Sequence, residues 1–309
     1  MTAFLTGIGQ EVVSGIALGC IYALVALGFT LIYKATKVVN FAQGELMLVG
    51  AYVNFYIVMH LSGSGADLGL GTFLLAFLLS LVFAVLFGVV LDYCINRPLK
   101  DEPVFSVIMA TISFSIILRS VVSLLAGPMS LVPRSPFGGR VFVLRGVVIS
   151  SLDLTIILCA VILVGLFYYF FKRTRWGIAM QATAEDLHAA QLMGIPVKKV
   201  YQLVWIFSTL VATVGGILLA PRMSLLDVSM SYFGLKAFPA AILGGFGSIR
   251  GAIIGGVLLG VIETVSMGTL SFHFNWIKEI NDIIVWIVLI AVLLVKPAGL
   301  LGKEELRRV

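Results

Sequence analysis

Charge is scarce in this 309-residue chain: Lys and Arg number 21 and Asp and Glu 15, 12% in all. An ordinary soluble domain carries roughly 25% charged residues and 45–50% apolar ones. Here 60% are hydrophobic and the mean hydropathy is +1.11. No water-soluble fold of this size hides so much apolar surface, and an intrinsically disordered chain would be polar. The chain is an integral membrane protein whose main solvent is lipid.

Several chemistries are also missing. Cys20, Cys94 and Cys159 are far apart, each in an apolar run, with no CxxC and no Cys/His cluster. Neither a disulfide framework nor a zinc site is indicated. His60, His188 and His273 are isolated. A Walker loop needs Lys followed by Ser or Thr, so that the ammonium meets phosphate and the hydroxyl meets Mg²⁺. None of the ten lysines has that successor, and HExxH, GxSxG and the Rossmann fingerprint are absent. The net charge of +6 fits basic cytoplasmic loops better than nucleic-acid binding. Residues 1–10, MTAFLTGIGQ, lack the basic start of a signal peptide, so the first apolar run is expected to remain as a span.

A spanning helix needs about 20 mostly apolar residues. Such runs lie near 12–33, 46–61, 71–95, 104–126, 152–171, 200–220, 233–246, 251–268 and 280–296. The expectation is an all-α polytopic membrane protein, one transmembrane domain over 1–309 with about 8–9 crossings. The run at 233–246 is short and broken by Pro239 and Gly244–Gly245; the run at 46–61 is short and follows KATKVVNFAQGE. With the N-terminus outside, 14 of the 21 Lys and Arg fall on inner segments and six on outer ones. The positive-inside rule then sets the C-terminus in the cytoplasm. Acidic residues keep to the edges of the runs, except Glu263, while Arg119 lies inside another run. These two can pair or snorkel.

Two connections are long. Residues 127–151, with their Pro and Gly and then RVFVLRGVVI, read as an outer cap containing a hairpin. Residues 172–199 form an inner connection. Within it, TAEDLHAAQLMGIP has capping-box spacing at Thr183 and Asp186, a left-handed C-cap candidate in Gly194, and a stop at Pro196. A helix of about ten residues follows, roughly 15 Å long, too short to span. It suits either docking into a partner's groove or lying at the interface.

AAQLMG (Ala189, Ala190, Gly194) resembles the AAxxxG core of the EAA loop in permeases of ABC importers, with His188 where Glu is usual. GCIYALVALGFTLIYKATKVVNFAQGELMLVGAY (19–52), RPLKDEP (97–103), IMATISFSIILRS (108–120) and AFPAAILGGFGSIRGAIIGGVLLGVIE (237–263) resemble the ordered signatures of the branched-chain amino acid permease family. Gln43 stands where that family usually has His. The resemblance implies a subunit that carries Leu, Ile or Val across the inner membrane together with a second homologous permease. It further implies two cytoplasmic ATPases, which hold the ATP and Mg²⁺, and a periplasmic binding protein that selects the substrate. No cofactor or metal is then expected on this chain, nor catalytic residues. The resemblance makes 183–196 the coupling helix, through Glu185, Ala189, Ala190 and Gly194. Urea, amides or other amino acids are alternative substrates, and an ion-coupled secondary transporter is the alternative class.

The residues add their own pointers. Gly247, Gly251 and Gly255 repeat every four residues, as do Gly256 and Gly260. Such ridges let helices approach closely, whether at a channel-dimer interface or within the chain. Paired interrupted segments point to a pathway near the midplane. NFAQGE (40–45) and the break at Gly244, Gly245 and Gly247 are such segments. Asn40, Gln43, Glu45, Thr111, Ser113 and Ser115 are the candidate pathway groups, with helix-packing hydrogen bonds as the other reading.

Overall fold

A computed structural model describes residues 2–62, 68–99, 102–127, 129–144, 147–270 and 275–302. Lys100, Asp101, Pro128, Arg145, His273 and the basic tail from 303 lie outside the described residues, as do the side chains of Lys278, Glu279 and Asp282. The elements are α1 (Thr2–Thr36), α2 (Gln43–Ser62), α3 (Leu70–Leu91), α4 (Arg97–Leu99), α5 (Val104–Ala126), β1 (Val141–Leu144), β2 (Val147–Ser150), α6 (Ser151–Arg173), α7 (Arg175–Glu185), α8 (Leu187–Leu192), α9 (Val197–Met223), α10 (Ser231–Gly244), α11 (Ile249–Val265) and α12 (Asn275–Val295). A π-helical turn, Asp92–Asn96, joins α3 to α4.

Among the described residues, seven helical stretches are long and apolar enough to cross a membrane: Gly7–Thr36, Gln43–Ser62, Leu70–Leu99, Val104–Ala126, Ser151–Arg173, Val197–Met223 and Ile249–Gly268. They cover seven of the nine runs read from the sequence. The run at 280–296 falls in the 21-residue α12. The run at 233–246 becomes α10, only 14 residues. At 1.5 Å per residue α10 reaches roughly 21 Å, short of a ~30 Å hydrocarbon core.

The chain divides into two compact units. The first comprises residues up to Thr30, Phe137–Ala160 and everything from Lys236; the second comprises Leu31–Pro136 and Val161–Leu235.

In the first unit backbones touch. α11 runs antiparallel to α1: Gly256 meets Ala23, Gly260 meets Gly19, and Gly15 meets Val261. A Cβ on Gly15 would come within 2.7 Å of the Val261 Cα. The opposite edge of α11 packs on α10, with Gly251 on Gly244 and Gly255 on Ala240. Van der Waals contact of this kind must supply helix association where lipid is as apolar as the side chains. The turn between α10 and α11 uses Gly245 (φ 101°) and Gly247 (φ 88°). Ser248 then caps α11 by accepting from the Gly251 N–H at 3.1 Å. Gly247 has no neighbour a side chain would strike, so it serves the turn rather than the ridge. β1 and β2 pair antiparallel, Val141 opposite Ser150 and Leu144 opposite Val147, within the segment expected as a cap.

In the second unit α2, α3 and α9 form the centre. Gly50 lies on Thr213, Gly216 on Met47, and Gly88 on Ile206. Asn54 donates to the Ser80 hydroxyl at 3.2 Å, and Ser80 donates to its own helix at Ala76. α9 is enclosed, whereas α5 and the later part of α6 expose Ile116, Ile117, Leu124, Ile162 and Leu166. Such faces need apolar surroundings.

Candidate functional site

The short polar stretch between α1 and α2 builds the site. α1 ends at Thr36, Lys37 turns the chain with φ 58°, and Asn40 is only 1% exposed. The Asn40 side-chain oxygen accepts from the Ala42 N–H at 3.1 Å, starting α2 with an Asx turn. The Phe41 N–H donates to Thr111 Oγ1 at 3.4 Å, seven residues inside α5. Irregular backbone therefore sits alongside the interior of a spanning helix, which the bilayer permits only where protein or a water-lined cavity surrounds it.

The first turn of α2 then meets three other helices, α9, α5 and α10. Gln43 is fully buried and pairs with Ser208 of α9 twice: its amide donates to the Ser208 carbonyl at 3.2 Å and accepts from the Ser208 hydroxyl at 2.9 Å. Glu45 accepts from Arg119 of α5 at 2.7 Å. Arg119 also donates to the Ser231 hydroxyl at 2.9 Å, and its guanidinium lies 5.1 Å from the Tyr232 ring centroid. Ser231 opens α10. Gly44 and Gly234 touch through their backbones, and a Cβ on Gly44 would sit 2.5 Å from the Ser231 carbonyl. The starts of α2 and α10, far apart in sequence, thus cross at a pair of glycines. A carboxylate in the first turn of α2 also suits the positive end of that helix dipole.

This geometry changes several sequence expectations. Arg119 and Glu263 do not pair. Arg119 bonds Glu45, while Glu263 accepts from Lys236 at 2.8 Å and from the Tyr22 hydroxyl at 2.7 Å within the first unit. Each buried carboxylate finds the cation its own unit carries. The 40–45 stretch meets the start of α10, and the break at 244–248 is the turn from α10 to α11. All six candidate pathway groups lie in the second unit, and Thr111 on α5 accepts from the Phe41 N–H beside Asn40. Ser113 and Ser115 bond back to Met109 and Ile112 of their own helix. Ser208, Ser231, Tyr232 and the Gly44–Gly234 crossing were not singled out from sequence; their only signal is small or polar side chains at helix starts and inside apolar runs.

The inner connection also differs in detail. α7 runs through Thr183, whose buried hydroxyl donates to Ala179 at 2.8 Å instead of capping. Asp186 is the cap, accepting from the Ala189 N–H at 2.9 Å. α8 is therefore six residues, not ten. Gly194 (φ 78°) closes it, and the Ile195 N–H reaches the Ala190 carbonyl at 3.0 Å. Ala190 is buried, so it supports the fold of the connection, while Glu185 and Ala189 are exposed. The outward tip is Leu192 and Met193, 89% and 82% exposed.

A multi-helix membrane chain with helix starts meeting at buried polar groups, and a short capped helix between two spanning helices, has the build of a transport subunit. The chain belongs to the family described as branched-chain amino acid transport system / permease component, which matches residues 12–293. It is 33% identical over 305 residues to the high-affinity branched-chain amino acid transport system permease protein LivH of Escherichia coli (strain K12), covering 97% of each chain. It is 32% identical to BraD of Pseudomonas aeruginosa, again over 97% of each chain. A probable LivH of Methanocaldococcus jannaschii is 31% identical over 91% of this chain and 88% of its own. No solved structure matches.

Proposed function

We propose that the chain is the permease subunit of an ABC importer for branched-chain amino acids in a bacterial inner membrane. The carrying observation is the full-length relatedness to permeases named for that substrate class. In this reading 1–309 acts as one permease domain, with 127–151 as an outer cap and 172–199 as the cytoplasmic coupling loop. The N-terminus is outside and the C-terminus cytoplasmic, as the 14-to-6 charge distribution favours. The partners are a second homologous permease, two cytoplasmic ATPases, a periplasmic binding protein and membrane lipid, with no nucleic acid. ATP and Mg²⁺ belong to the ATPases, and this chain binds no cofactor.

The coupling role falls on α8, and its contact is the exposed Leu192–Met193 tip more than the alanines. Burying an exposed apolar side chain contributes roughly 1.5–3 kcal/mol, enough for two residues to seat a small helix in a groove. Gly194 and buried Ala190 hold that tip in shape.

Reconstitution of the chain with its genomic neighbours tests the reading. Uptake of radiolabelled leucine should depend on ATP and on the binding protein, and this chain purified alone should hydrolyse no ATP. Leu192→Asp with Met193→Asp should leave membrane abundance unchanged, lose ATPase co-purification and abolish uptake. Labelling of Arg308→Cys from outside intact cells would overturn the orientation.

A further inference from the structure

Within the second unit, α3, α6 and α9 enclose a cavity of about 400 Å³. Its walls include Leu81 on α3, Leu163, Phe167 and Phe170 on α6, and Phe207 and Val214 on α9. Phe207 meets Phe167 and Phe170, with ring centroids 5.5 and 4.6 Å away. Thr174 closes one end, but its hydroxyl is already committed. It donates to the Phe170 carbonyl at 2.7 Å and accepts from the Gly177 N–H at 3.0 Å. A polar solute, a free amino acid included, would therefore lose its hydrogen bonds to water here without replacement. Two further wall residues, Leu166 and Tyr169, are 59% and 63% exposed, so the cavity opens sideways from α6. Protein interiors leave few voids larger than a water molecule. In a bilayer the filler for this one is hydrocarbon.

Length and charge narrow the occupant. From Leu163 to Thr174 the wall rises roughly 16 Å along α6, about the depth of one leaflet in a ~30 Å hydrocarbon core. Beside the Thr174 end stand Lys172, Arg173 and Arg175, all exposed. Among the described residues none of the three is ion-paired. Tyr168 and Trp176 are exposed at the same level, where amphipathic rings mark the membrane–water boundary. Lys172 Nζ donates to the Tyr168 hydroxyl at 3.1 Å, which leaves the ammonium further donors. We propose that this groove holds one acyl chain of an anionic glycerophospholipid, with its headgroup phosphate at Lys172, Arg173 and Arg175. Basic pockets between spanning helices select such headgroups. A zwitterionic lipid would fill the apolar part equally well and leave the three cations less compensated. Only the assignment to the inner leaflet rests on the proposed orientation; the site itself rests on this chain's residues.

The test uses the full chain with its native partners in phosphatidylcholine nanodiscs. The probe is a phosphatidylglycerol with a diazirine midway along one acyl chain. Photolabelling is expected in 163–174 of α6 and 207–214 of α9, located by mass spectrometry of the peptides. Unlabelled phosphatidylglycerol should compete about fivefold or more better than added phosphatidylcholine, because three cations meet its charge. Replacing Lys172, Arg173 and Arg175 together by Gln should erase that preference. These side chains are exposed, so the variant tests the headgroup contact without disturbing the cavity. Leu210→Trp, which occupies the space the acyl chain needs, should cut labelling about threefold or more. Equal competition by the two lipids, a preference that survives the triple substitution, or labelling undiminished by Leu210→Trp would overturn the site. Absence of labelling in these segments would place another protein surface over the groove and overturn it too. The readout needs no transport, so its failure leaves the proposed function standing, and a different substrate class leaves the lipid site standing.

Discussion

The two units solve the same problem, helix association without a hydrophobic drive, by different means. The first relies mainly on backbone contact, Gly15, Gly19, Gly256 and Gly260 between α1 and α11 and Gly244, Gly251 and Gly255 between α10 and α11, with a single buried polar cluster of Tyr22 and Lys236 on Glu263 among the bonds described. The second adds side-chain bonds to its glycine crossings: Gln43 to Ser208, Glu45 to Arg119, Arg119 to Ser231, Asn54 to Ser80. A glycine seam has one fit, because nothing in it can rotate away. A polar junction can exchange partners, and this one keeps spare donors on Asn40, Trp205 and the Arg119 Nε. The polar junction of the second unit therefore has more alternative pairings open to it than a glycine seam has.

Substitutions can break that contrast. The largest effect is expected from Gly260→Leu, since even a Cβ there collides with the Gly19 backbone. Overpacking costs typically about 1–3 kcal/mol where side chains can shift; here only backbone can give, so membrane abundance should fall more than tenfold by immunoblot. Next comes Arg119→Leu. Removing one member of a buried pair costs roughly 3–5 kcal/mol, but Arg119 is 38% exposed and Glu45 6%, so a smaller loss is expected. Thermal unfolding in detergent should show a drop that Glu45→Gln in the same chain partly restores, because the uncompensated carboxylate is then gone. Ser208→Ala removes one bond to Gln43 and should cost about 1 kcal/mol, with leucine uptake changed more than stability if the junction moves during transport. The smallest effect is expected for Gly165→Ala: a Cβ there meets open space on α6, and the helix gains up to about 1 kcal/mol. A destabilised Gly165→Ala would show that the seam argument fails for glycines generally.

Much of the architecture was legible because a bilayer imposes local rules. Lengths and hydropathy gave the spans, and α10 was marked as short by its own composition. The polar stretch at 40–45 was legible as an interruption, since Asn, Gln and Glu are costly in lipid. The charges were not legible as pairs. Arg119 was expected to pair with Glu263 or to snorkel, whereas it bonds Glu45, 74 residues away, a choice that distance along the chain does not reveal. Thr183 and Asp186 both have cap chemistry; only the continuation of α7 through Thr183 decides between them.

By itself, the amino-acid sequence determined the solvent, the approximate crossings and the positions where helices break, because each depends on a window of about 20 residues. The tertiary structure decided the rest. It turned two glycine ridges of α11 toward different helices and brought the start of α10 onto the start of α2. Those outcomes depend on the rotation and depth of each helix against its neighbours, which are set by packing across the chain and not by any local stretch of it.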